Sequence, residues 1–300
     1  MRYAHVASRA FGRPLLLEPR HGGVWLESFG RMLHARMGVA TNPRDLRAMD
    51  DDEGGERRPV YASLPIGLVE RDYRKAFPQV RDVAILEVEG TLVNNLGSVE
   101  PWCGMTGYDG LRTQLAAAMN DPTIKAIALL CNSPGGEVAG CFDLADQIRD
   151  ARETKPIWAI VDSLACSAAF ALAVGAGRIT CSSVGYTGSV GVITAHYDFT
   201  KALEMAGVKV TLIYAGDHKA DGYPEQPLSE PARAIFQKEV DTIAALFVDV
   251  VAKGRGIGAD AIKATQALAY LPGDAQPIDF CDDILSPTEA LLELVELASK

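Results

Sequence analysis

Residues 125–170 read KAIALLCNSPGGEVAGCFDLADQIRDARETKPIWAIVDSLACSAAF, and their pattern decides the fold. KAIALLCNS (125–133) is nearly continuous in apolar residues, as expected of a strand covered on both faces. Pro134-Gly135-Gly136 interrupts it, and VAGCFDLADQIRDARE (138–153) then carries helical spacing. PIWAIVDS (156–163) returns to a strand pattern, and CSAAFALAVGA (166–176) is a short apolar helix. Strand, helix and strand with buried strands predict a parallel sheet joined by right-handed crossovers.

The same alternation extends both ways. Upstream, DVAILEVEG (82–90) predicts a strand and YDGLRTQLAAAMND (108–121) a helix. Downstream, GRITCS (177–182), GVITAHYDF (191–199) and KVTLIYAG (209–216) predict strands, with a helix TKALEMAGV (200–208) between the last two. After Pro227 the pattern turns helical. Ile235, Val240, Ile243, Ala244, Phe247, Val248 and Val251 fit a 3.6-residue period over 230–254, and further helices are expected at 259–267 and 288–299. The expected fold class is therefore α/β: repeated β-α units with a helical C-terminal region.

The polar stretch TNPRDLRAMDDDEGGERR (41–58) has too little apolar surface to order itself and reads as a flexible linker. Ahead of it, residues 1–40 form an arm. Its apolar positions Leu15, Leu16, Leu17, Val24, Trp25, Leu26, Phe29, Met32 and Leu33 partly suit a short amphipathic helix that packs on a neighbour. The domain proper is expected over 59–300, with an α/β core at about 82–228 and a helical part at 229–300. No repeat of 20–50 residues is evident.

Composition narrows the function. A formal net charge of −10 argues against a general nucleic-acid binder, although residues 1–50 carry eight Arg and no Lys against four acids. Apolar runs such as Ala168 to Ala176 fall well short of the roughly 20 residues that span a bilayer. Met1 to Arg20 is interrupted by Arg2, His5, Arg9, Arg13 and Glu18, so neither a secretory leader nor a membrane anchor is expected and the chain reads as cytosolic. The six cysteines include no C-x-x-C pair and no His stands at ligand spacing, so no metal site is expected.

Three strings carry candidate chemistry. Asn132-Ser133-Pro134-Gly135-Gly136-Glu137 places two glycines where a strand ends, so the backbone can approach a ligand and offer N–H groups to an oxyanion. Its plain alternative is a turn. Asp162-Ser163-Leu164-Ala165-Cys166-Ser167-Ala168-Ala169-Phe170 puts a serine at a helix start among small neighbours, where Ser163 or Ser167 could equally be a helix cap. Ala215-Gly216-Asp217-His218-Lys219-Ala220-Asp221-Gly222 holds a lysine in a Gly-containing turn. Such a lysine is normally solvated, and as a general base its pKa must fall from about 10.4 towards neutrality. Rival readings are Cys166 as nucleophile and His218 with Asp217 or Asp221 in a Ser-His-Asp arrangement. His196 reads as a strand residue and Asp109 as a helix-start residue.

Taken together, the order and spacing of these strings resemble peptidase family S49, the signal peptide peptidase A type and the head-maturation proteases of tailed phages, from about Val83 to Glu293. The family pattern is an S-P-G-G turn, an A-S-A-A nucleophile turn, a G-S-[IV]-G-V strand, and a G-x-x-K turn about fifty residues beyond the serine. Here these are Ser133 to Gly136, residues 165–169, Gly188 to Val192, and Gly216 to Lys219, with 52 residues between Ser167 and Lys219. Cys166 stands where the family usually has Ala, and residues 273–284 depart from its usual G-L-[AV]-D turn. The resemblance implies a ClpP/crotonase-like core and a serine endopeptidase that needs no cofactor. Ser167 would be the nucleophile, Lys219 the base and Ser189 the group orienting the lysine, while the N–H groups of Gly135 or Gly136 and of Ala168 hold the oxyanion.

The strings GMTGYDGL, SPGGEVAGCFDLAD and AGDHKADG are closest to the phage and prophage members. The resemblance thus implies a prohead protease that trims scaffold, portal or capsid proteins in the bacterial cytoplasm or inside the prohead. It also implies a homo-oligomer, because family members form rings or domes in which neighbouring subunits complete an active site. Other readings are a cytosolic signal-peptide-peptidase-like protease, a crotonase-type acyl-CoA enzyme on the same fold, and a non-catalytic capsid-assembly protein.

Overall fold

The computed structural model describes residues 14–17, 64, 68–72, 74–101 and 104–300. The expected linker at 41–58, and all of the arm except Pro14 to Leu17, lie outside them. Leu15–Leu17 is a strand, β1.

The strands follow β1 in chain order: β2 (Gln79–Val80), β3 (Val83–Val93), β4 (Met105–Gly107), β5 (Ala126–Glu137), β6 (Ile157–Cys166), β7 (Arg178–Cys181), β8 (Tyr186–Gly188), β9 (Ala269–Tyr270) and β10 (Asp283–Ile284). Their main path runs β10-β7-β6-β5-β3-β2, parallel except for the β2–β3 pair. The helices are α1 (Tyr108–Asn120), α2 (Cys141–Ala151), α3 (Ala168–Ala173), α4 (Thr200–Met205), α5 (Glu230–Arg255), α6 (Ala259–Ala264), α7 (Pro272–Ala275) and α8 (Pro287–Ala298). This is the α/β architecture that the alternating pattern predicts.

The two-residue period of the strands sorts their side chains to opposite faces. Ala84, Leu86, Val88, Ile127, Leu129, Cys131, Ile157, Ala159 and Val161 join the main core with α1, α2, α3 and the end of α5. Their alternates Val83, Ile85, Ala126, Ala128, Leu130, Trp158 and Ile160 pack under Ala290, Leu291, Leu294 and Val295 of α8. With helices on both faces, residues 126–131 of β5 and 157–161 of β6 are apolar throughout, whereas β3 also carries the buried Glu87.

β3 and β5 pass a register shift after Glu89, β5 and β6 another after Cys131, and beyond these the strands continue with new partners. The end of β3 takes β4, the end of β5 takes β1 antiparallel, and the end of β6 takes β8, which pairs β9. These distal ends carry the strings of Gly135–Gly136, Ser167 and Gly188–Ser189, but not that of Lys219.

Three expectations differ from the structure. GVITAHYDF forms no strand beyond an isolated antiparallel bridge from Ile193 to Leu15, and KVTLIYAG none at all. Met205 and Ile213 are 90% and 95% exposed there, and Val208, Val210 and Tyr214 are exposed too. Apolar alternation supplies local strand preference, but a strand also needs a hydrogen-bonding edge, and none of the described residues offers one to 209–216. The C-terminal region, expected to be helical, also returns β9 and β10 to the sheet. Finally, α5 encloses Ala232 near its start and Phe247, Val248, Val250 and Val251 in its last third, whereas Ile235 and Leu246 are exposed.

Candidate active site

β6 ends at Cys166, and the chain turns at Ser167 into α3. Ser167 has φ 54° and ψ −117°. A non-glycine residue held there is strained, and such strain is characteristic of a nucleophile presented on a sharp strand-to-helix elbow. The turn is pinned by the Ser167 N–H donating to the Gly188 carbonyl at 2.8 Å, an extension of the β6–β8 register that pairs Cys166 with Gly188. Ser167 is 0% exposed, and its Oγ is buried without a hydrogen-bond partner among the described residues. A buried hydroxyl with no partner costs stability, so the position is explained by something other than folding.

Gly135 lies against this turn with φ 108°. A Cβ built on it would stand 3.0 Å from both Ser167 Cβ and the Ala168 nitrogen, and 2.2 Å from the Leu16 carbonyl oxygen. Only glycine lets these groups converge. Ala168 is the first residue of α3, so its N–H has no intrahelical acceptor and is available to an oxyanion. The Gly135 N–H donates to Ser133 Oγ at 3.1 Å, and Ser133 in turn donates to the Gly90 carbonyl at 2.6 Å. Gly136 approaches the Leu92 backbone so closely that no Cβ would fit.

Ser189 follows β8 directly, with φ 56° and little exposure. Its N–H donates to the Leu268 carbonyl at 2.8 Å. The fold therefore gathers Gly135, Gly136, Ser167, Ala168 and Ser189 at the distal ends of β5, β6 and β8. It does not bring Lys219 into bonding contact with them. Lys219 is exposed in the turn 216–222, where its N–H donates to the Gly216 carbonyl at 3.0 Å and its amine meets no partner among the described residues.

The rival groups occupy other settings. His218 is exposed and its Nδ1 lies 2.8 Å from Asp221 Oδ2, a pair within the turn itself. His196 lies outside any strand, its Nε2 3.4 Å from the Tyr223 carbonyl oxygen. The Cys166 thiol is buried and donates to the Tyr186 carbonyl at 3.8 Å. Burial pushes the thiols of Cys131 and Cys141 up to about 12, so both are inert core groups. Asp109 does begin a helix, but its carboxylate also accepts from the N–H groups of Leu96 and Gly97 at 3.1 and 2.9 Å.

Gly135 and Gly136, expected in a turn, are paired strand residues at the end of β5, and reading the sequence missed what props that end. Tyr108 is fully buried, and its hydroxyl donates to the Glu137 carbonyl at 2.7 Å; the Asn94 N–H donates to Glu137 Oε2 at 2.8 Å. Both fix the end of β5. A tyrosine between Gly107 and Asp109 at a helix start was the available signal, since a buried tyrosine hydroxyl needs a specific acceptor. No helix among the described residues is long and apolar enough to cross a membrane, and no group of three or more His, Cys, Asp or Glu there could hold a metal ion.

Residues 149–299 match the model of peptidase family S49. Capsid assembly protease C of Escherichia phage lambda is 33% identical over 292 residues, covering 96% of this chain and 64% of that protein. Head-tail preconnector protein GP5 of Enterobacteria phage P21 is 35% identical over 295 residues, 96% of this chain and 56% of that protein. Protease 4 of Haemophilus influenzae is 26% identical over 220 residues, 73% of this chain and 35% of that protein. The chain thus spans less than two thirds of the length of any of the three.

Proposed function

This chain belongs to peptidase family S49, and from that we propose that it is a serine endopeptidase working through a Ser167–Lys219 dyad, acting on head proteins during phage assembly. The observation that carries the chemistry is the strained Ser167 elbow, whose oxygen is held without a partner beside Gly135 and the unclaimed Ala168 N–H. The likeness to the two phage proteins supports the choice of substrate class, namely scaffold, portal or capsid proteins. It supports a cytoplasmic or intra-prohead site of action as well.

In the proposed reaction the neutral Lys219 amine takes the Ser167 proton as Oγ attacks the peptide carbonyl. The N–H of Ala168, together with that of Gly135 or Gly136, carries the charge on the carbonyl oxygen. The resulting ammonium gives its proton to the leaving amine, and water then releases the acyl group from Ser167. Substrate binds extended along a strand edge, through main-chain hydrogen bonds.

A neutral lysine requires burial, yet Lys219 stands exposed on one chain while Ser167 is sealed. A homo-oligomer resolves this: the exposed 205–214 segment and turn 216–222 pack on a neighbouring subunit and deliver Lys219 to that subunit's Ser167 and Ser189. The apolar strand pattern at 209–216 supports this arrangement, because it then gains a sheet edge that the described residues of one chain do not offer it.

Ser189 is proposed to hydrogen-bond the neutral amine and fix its direction. Ser189→Ala should lower kcat about tenfold and move the rise of the pH–rate profile to lower pH, since Ser189 Oγ accepts from the amine, whose lone pair stays free for the Ser167 proton, and losing that acceptor disfavours the ammonium form. An unmoved profile would assign Ser189 a purely structural role. His218→Ala in the same assay should leave kcat within twofold.

The biological proposal is tested by co-expressing the chain with candidate scaffold, portal and capsid proteins and reading new termini by mass spectrometry. New termini should arise with the wild type and be missing with Ser167→Ala. Intact head proteins in both would refute the head-protein substrate.

A further inference from the structure

The strand edge that a substrate would use is already taken. β1 pairs antiparallel with the end of β5, setting Leu15 opposite Glu137, Leu16 opposite Gly136 and Leu17 opposite Gly135. On its other side Leu15 exchanges both hydrogen bonds with Ile193, at 2.7 and 2.9 Å. Leu15–Leu17 is thus a strand laid between the glycine end of β5 and the residues that follow Ser189.

Its position relative to the nucleophile is close. The Leu16 carbonyl oxygen, Ser167 Cβ and the Ala168 nitrogen all converge on the space beside Gly135, so a backbone carbonyl of the chain itself stands where a substrate carbonyl would approach. The Leu16 side chain is fully enclosed and belongs to the main core cluster, and Leu15 is buried too. Ser167 itself has no exposed surface. An extended peptide therefore cannot reach Ser167 along this edge while β1 is in place.

We infer that Leu15–Leu17 is a built-in occupant of the peptide-binding edge, so that this chain rests in a self-blocked state and a substrate segment must displace β1 to bind. The inference rests on the Ser167 reading above. It converts local strand pairing into regulation. If only a fraction of molecules has β1 displaced, apparent substrate affinity falls by that fraction while the chemical step is unaltered.

The test is steady-state kinetics of the full chain on a short fluorogenic peptide. Leu16→Ala removes most of the side chain that anchors β1 without touching the reacting groups. KM should fall tenfold or more with kcat within twofold of wild type. An unchanged or raised KM in a variant that still melts cooperatively overturns the inference.

A second variant covers the case in which Leu16→Ala folds poorly. Leu15→Cys with Ile193→Cys places two thiols on a hydrogen-bonded antiparallel pair, whose Cα atoms lie about 5.5 Å apart, within disulfide reach. Oxidation should reduce turnover at least twentyfold, and a reductant should restore it. Full turnover of the cross-linked form overturns the inference. Ser167→Ala run alongside separates the two levels: turnover surviving there overturns the nucleophile assignment and this inference with it. Turnover lost there but insensitive to both β1 variants overturns this inference alone.

Discussion

Ser167→Ala should reduce peptide cleavage to below about 1% of wild type, because losing a catalytic nucleophile typically costs far more than a hundredfold. The fold should survive. The substitution removes one oxygen that has no hydrogen-bond partner among the described residues and sits in a fully buried position. Deleting an unsatisfied buried hydroxyl removes a desolvation cost, so the melting temperature should be unchanged or higher. Turnover above about 1% in this variant, measured on a defined peptide, would transfer the chemistry to another group. The same result with a lowered melting temperature would mark Ser167 as a folding residue instead.

The second large effect concerns Lys219. Both Lys219→Ala and Lys219→Arg should be as inactive as Ser167→Ala, since a guanidinium stays protonated and cannot accept the serine proton. In the wild type, turnover should keep climbing with pH beyond the range near 6.5 in which a histidine base would already have levelled off. An active Lys219→Ala, or a profile that plateaus just above pH 6.5, would return the base role to a histidine. The exposed His218–Asp221 pair is the group then to be tested.

Much of this arrangement was legible in the sequence. The strands at 83–93, 126–137 and 157–166 follow from their mainly apolar runs, because most residues facing the two helical layers are apolar. Gly135, Gly136, Ser167 and Ala168 stand in strings whose roles the family resemblance implies, Ser189 follows from that resemblance alone, and the fold sets all five around one junction. What the sequence did not show depends on distant pairing. Leu15 to Leu17 looked part of a helical pattern because spacing is a local property, whereas its strand form is dictated by Glu137, Gly136 and Gly135 about 120 residues away. The segment 209–216 erred in the opposite direction. Its alternation is strand-like, yet no edge is offered to it within the described residues, and Ile213 is left almost fully exposed. Tyr108 and Asn94 escaped notice for the same reason, since each braces Glu137 from an element remote in sequence.

The exposed lysine and the sealed serine make the sharing of the site between chains the central claim, and mixing two dead variants tests it most directly. Ser167→Ala and Lys219→Ala chains should each be inactive alone. Co-expressed at equal levels, they should recover about a quarter of wild-type turnover, since random assembly of a symmetric oligomer pairs an intact serine with a neighbour's intact lysine in that share of sites. A mixture that co-assembles, as capture of one variant by an affinity tag carried only by the other would show, yet remains as inactive as either parent would contradict a dyad completed between neighbouring chains.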